Sequence, residues 1–139
     1  MTSRSIFGRL LPALLLAAFA HTSGAHHSFA MFDQGKTITQ KGVVKEVQWI
    51  NPHVWLHLTV EVDGKEAVYS YEGAAIAVLK RVGWTRDSVK PGDVVTVVGH
   101  PYKDGRRAGG AMNHVILPDG KRLGTGDAIP GALVVPTTQ

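Results

Sequence analysis

The sequence contains no cysteine. That removes disulfide staples, thiolate metal sites and a thiol nucleophile, and it removes the residue that a lipid-anchored export signal would acylate. No apolar run approaches the ~20 residues that a membrane-spanning helix needs; "LLPALLLAAFA" (10–20) is far shorter. There is no G-x-S-x-G elbow, no phosphate-cradling loop and no H-E-x-x-H helix. The eleven acids stand singly, and near-neighbours such as Glu61 and Glu66 only flank a turn, so no carboxylate pair is set up for acid–base work. No internal repeat is present, and the only low-complexity stretches are the two ends. These absences argue against an enzyme and leave a small binding protein as the expectation.

What is there begins with an export pattern. Arg4 and Arg9, with no acid nearby, precede the apolar stretch, which reads as a secretory signal peptide over residues 1–25. Cleavage after Ala25 uses Ser23 and Ala25 as the small residues and leaves the polar "HTSGA" ahead of the cut. Cleavage after Ala20 also satisfies the rule, and either cut leaves a histidine at the new amino terminus. Removing residues 1–25 leaves 114 residues, enough for one domain with its own core. The removed segment takes two arginines, so the formal charge falls from +4 to +2, and the sequence argues against nucleic acid as a partner. A periplasmic or secreted protein with no membrane span after processing is expected.

Along the rest of the chain the dominant period is two. "TITQKGVVKEVQW" (37–49) is rich in β-branched residues. "VWLHLTVEV" (54–62) sets Val54, Leu56, Leu58, Val60 and Val62 against Trp55, His57, Thr59 and Glu61. Asp63-Gly64 is a favoured two-residue hairpin turn, with "EAVYSYE" (66–72) as the returning strand. That register pairs Leu58 with Tyr69, Leu56 with Tyr71 and Trp55 with Glu72. It places His53, Trp55, His57, Ser70 and Glu72 together on the polar side. "AAIAVLKRVG" then shows helical spacing of Ala75, Ile76, Leu79 and Val82, with Gly83 as its stop. "VVTVVGHP" (94–101) and "GGAMNHVILPDG" (109–120) hold a fourth and a fifth strand, separated by the basic loop "YKDGRR". Five strands with one short helix between the third and fourth is the element order of a small OB-like barrel, an all-β fold. The expected organisation is an arm over 26–36, the barrel over 37–122 and a tail over 123–139 that docks through Leu133 to Val135.

The chain also resembles a family of small secreted bacterial proteins labelled only as a domain of unknown function. The resemblance is carried by "HHSFAMFD" (26–33), "NPH" (51–53), "GW" (83–84) and "KPGD" (90–93), and it spans nearly the whole mature chain. It implies secretion and a small barrel, and it brings no established activity.

Histidines carry the remaining chemistry. After processing there are six: His26, His27, His53, His57, His100 and His114. An N-terminal histidine chelates one metal ion through its α-amine and its own imidazole, and nitrogen donors of this kind favour Cu(II) among divalent first-row ions. His26, supported by His27 or His53, is therefore a candidate site for copper or another transition metal. The competing reading makes the histidine pair the start of a polar arm. His53 and His57 lie ~13 Å apart along a strand and cannot share one ion; His100 and His114 read as structural. A second candidate, free of metal, is a ligand face at Trp55, His57 and Glu72 for a partner protein, glycan or small ligand, on the strands where OB-folds bind. Trp49 and Trp84 read as core.

Overall fold

A computed structural model describes residues 29–126. The expected leader, His26 and His27, and Leu133 to Val135 lie outside the described residues. The elements are a 3₁₀ turn at Phe29–Met31, then β1 (Ile38–Gln48), β2 (Trp55–Val62), β3 (Lys65–Glu72), α1 (Ile76–Arg81), β4 (Val94–Pro101), β5 (Gly109–Ile116) and β6 (Arg122–Gly124). No helix among these residues is long and apolar enough to cross a membrane.

The Asp63-Gly64 turn sets the first hairpin. Both residues have positive φ, 51° and 74°, which is the backbone of a type I′ turn and matches the twist of the flanking strands. β2 and β3 consequently pair in the expected register, with Leu58 opposite Tyr69, Leu56 opposite Tyr71 and Trp55 opposite Glu72. β1 pairs antiparallel with β2 on one edge and with β4 on the other. The spatial order β3-β2-β1-β4 is a Greek key.

Closure comes from a short parallel pairing of β3 with β5, joining Ser70, Tyr71 and Glu72 to Gly109, Gly110 and Ala111. Gly109 sits at φ 110°, and a Cβ there would overlap the Ser70 carbonyl oxygen, so only glycine allows the two backbones this close. The result is the expected all-β barrel of five strands with one lone helix between β3 and β4. β6 is an addition. It pairs with β5 and buries Leu123, so ordered structure runs across the boundary expected at residue 122.

The interior is filled by the inward set of each strand, among them Val44, Leu56, Leu58, Tyr71, Val97 and Val115. Trp49 and Trp84 are buried, as their spacing suggested. Several residues that carry the family resemblance act as fasteners. Asn51 Oδ1 accepts from the Ile76 amide at 3.3 Å, capping α1, whose own cap residue Ala75 has no side chain to do so. Trp84 Nε1 donates to the Gly124 carbonyl at 2.7 Å, tying the end of the helix to β6. In the turn before β4, the Asp93 carboxylate accepts from the Lys90 amide at 2.8 Å, and Val44 exchanges backbone hydrogen bonds with Gly92 and Asp93, both 2.8 Å.

Candidate functional site

Because paired residues in an antiparallel hairpin share a face, the outer surface of β2 and β3 gathers the polar set opposite the core. There the structure brings together four of the six residues singled out from the sequence: His53, Trp55, His57 and Glu72. His53 stands just ahead of β2, and its Nδ1 lies 2.6 Å from Glu72 Oε1. Glu72 is 8% exposed and His53 is 30% exposed, so the pair forms at the margin of the solvent. A carboxylate accepting from Nδ1–H orients the ring and turns Nε2 away from Glu72.

Four residues on from His53, His57 Nδ1 shares a hydrogen bond of 2.8 Å with Ser70 Oγ. Its Nε2 is buried with no hydrogen-bond partner among the described residues. A serine beside a histidine invites a nucleophilic reading, but among the described residues no third group hydrogen-bonds the ring, as a catalytic triad has. Trp55 stacks alongside, its ring within 7° of parallel to the His57 ring and 6.4 Å away between centroids. On the neighbouring strand, Glu46 pairs with His57 and Gln48 pairs with Trp55. These two were missed at first because their strand was read without a register. The alternation Glu46, Val47, Gln48, Trp49 was the available signal.

The other two described histidines make hydrogen bonds within the fold. His100 Nδ1 donates to the Lys36 carbonyl at 2.8 Å. His114 Nε2 accepts from Arg122 Nη2 at 2.7 Å; burial and the Arg122 charge hold its pKa below the ordinary histidine value.

The chain enters the barrel beside the His53–Glu72 pair. Phe32, 1% exposed, bridges to Tyr102 with the rings 4.9 Å apart. The Asp33 amide donates to the Pro101 carbonyl at 2.8 Å. Arg107 lies 4.3 Å above the Tyr102 ring and pairs with Asp104, closing the other side of the aromatic pair. Burial pushes the Tyr102 hydroxyl pKa upward, Arg107 opposes that, and the Glu72 and Asp104 charges add to it. Phe29 and Phe32 line one small cleft together with Glu72 and Ala111. The arm is thus fastened to the barrel from Phe32 onward, and its approach passes the Glu72 carboxylate. No signal of period two or 3.6 marks this docking, since it depends on one aromatic contact across ~70 residues of chain.

Among the described residues, no group of three or more His, Asp or Glu side chains is arranged to hold a metal ion. His26 and His27 lie outside those residues, so a metal site that uses them has only His53 and its neighbours as described members.

Neither the curated proteins nor the solved structures yield a match to this chain. Residues 13–111 match a family model described as a family of unknown function, DUF6152. That span covers most of the sequence and includes β1 to β4 with the arm and helix, and the chain therefore belongs to the DUF6152 family.

Proposed function

We propose that this is an exported, small metal-binding protein that takes copper, or another transition metal, through a processed N-terminal His26. The His26 amine and imidazole form the chelate, and His27 or His53 adds a further nitrogen. The observation that carries the reading is the His53–Glu72 pair. A carboxylate on Nδ1 is the usual second partner of a metal-bound imidazole, because it orients the ring and strengthens Nε2 as a donor. Its position supports the same reading. Phe29 lines the cleft that Glu72 also lines, and two or three residues of chain reach at most ~7 to ~10 Å. On this reading His26 or His27 must reach His53 across that short length of chain. Cu(II) is favoured over Zn(II) because the donors are amine and imidazole nitrogens.

The test is a calorimetric titration of the exported protein, after mass spectrometry has established its first residue. The mature chain binds one Cu(II) more tightly than Zn(II). A second form with one extra residue ahead of His26 keeps every histidine and displaces the amine, so it binds copper more weakly. Equal affinity in the two forms would sink the N-terminal site. Affinity also falls with acid, since the ligand nitrogens must shed protons to bind.

A further inference from the structure

Two rows of side chains cross the outer face of β1, β2 and β3. In one, Gln48 lies beside Trp55 and Trp55 beside Glu72; in the next, Glu46 lies beside His57 and His57 beside Ser70. Each row has an aromatic ring at its centre and hydrogen-bonding side chains on both flanks. Those side chains brace one another: Gln48 Nε2 donates to Glu46 Oε1 at 3.1 Å, and Ser70 holds His57 at 2.8 Å. The two rings lie 7° from parallel, and His57, held by Ser70, keeps little rotational freedom to lose when a ligand arrives.

We infer that this face binds a neutral oligosaccharide. A pyranose ring has an apolar C–H face, which packs on an indole, and a rim of hydroxyls that both donate and accept. Trp55 supplies the surface for the first. Amide, carboxylate and hydroxyl groups of Gln48, Glu46 and Ser70 supply complementary partners for the second. Charge selects among ring-bearing ligands. Glu72 is taken up by His53, whereas Glu46 is exposed beside the His57 ring, so an acidic glycan or a nucleic acid brings like charge against Glu46. The inference is independent of the metal reading, since it uses neither His26 nor His27.

The test uses the full mature chain freed of metal with a chelator and labelled with ¹⁵N. Chitohexaose, cellohexaose and maltohexaose are titrated separately to about 10 mM, a range that detects even weak binding. At least one of them shifts the Trp55 indole N–H and the backbone amides of 46–48 and 55–57. Trp55→Ala weakens that binding by about tenfold or more, as loss of an aromatic anchor does, and Gln48→Ala weakens it severalfold with an unchanged melting curve. Should Trp55→Ala fail to fold, Gln48→Ala and Ser70→Ala decide the matter. The inference is overturned if none of the three sugars moves these signals. Undiminished binding in the variants overturns it too, as does a response only to polygalacturonate or to oligothymidylate.

Discussion

The two faces of the β2–β3 hairpin are made by the same sixteen residues and obey different rules. The inner face is a set of interchangeable apolar volumes, Leu56, Leu58 and Tyr71, each 2% exposed or less. The outer face is a set of particular pairings, His57 with Ser70 and, from just ahead of β2, His53 with Glu72. Burial decides whether the hairpin folds, and it asks only for size and apolarity. Chemistry asks for named atoms at named distances, and the pleat lets the second be varied without disturbing the first.

Leu58→Ala is the strongest way to test that division. It empties a fully buried site and lowers unfolding stability by about 2–5 kcal/mol, whereas Trp55→Ala on the outer face changes it by less than about 1 kcal/mol. Urea denaturation of both variants makes the comparison, and equal losses would erase the distinction between the faces. Next in size is Gly109→Ala at the barrel seam. The added methyl meets the Ser70 carbonyl, at a φ that disfavours any side chain, and the loss is about 2–4 kcal/mol. The same denaturation curve reads it.

Tyr71→Phe sharpens the contrast from the inside. The Tyr71 hydroxyl is buried with no hydrogen-bond partner among the described residues, and burial, with a smaller contribution from Tyr69, raises its pKa. An unmade buried hydrogen bond costs stability, so removing the oxygen raises the melting temperature, by a gain of up to about 1 kcal/mol. A loss on this change would mean that the inner face also depends on a specific polar contact.

The smallest effect concerns acid. His114 has a folded-state pKa below its ordinary value, so as pH falls the unfolded chain takes up a proton first. Stability from this residue is complete above the ordinary histidine value near 6.5 and is lost as pH falls through the lower folded value. Because the side chain is only partly buried, the effect stays below about 1 kcal/mol. His114→Gln flattens that part of the stability profile, and an unchanged profile would remove His114 from the account.

Much of the hairpin and its outer group was open to reading from the sequence, because both depend on local rules. Alternation over residues 54–62 and a two-residue turn at Asp63-Gly64 were enough to place His53, Trp55, His57, Ser70 and Glu72 on one side. The parts that escaped depend on contacts distant in sequence. Glu46 and Gln48 join the face only through the β1–β2 register, which shifts at a bulge between Val44 and Glu46. Phe32 meets Tyr102 from a segment with no repeat of its own. β6 is three residues long, too short to show a period. The barrel seam rests on glycines at 109 and 110, placed in the fifth-strand stretch by the sequence, which carries no sign that they lie against β3.

β1 is the strand on which both halves of the barrel depend, and it is made first. As the chain emerges, β2 can pair with it across the short connection 49–54, and β3 adds to β2 through the Asp63-Gly64 turn. Its other edge stays open until β4 arrives, more than forty residues later. For that interval an unfinished three-stranded sheet offers unpaired backbone groups to any other chain in the same condition. Open edges of this sort seed aggregation unless something blunts them. The outward positions of β1 carry Lys41 and Lys45, both exposed, and charged side chains of this kind, lysine above all, discourage edge-to-edge pairing. The strand that organises the finished barrel is thus also the one that most needs protection while the barrel is incomplete.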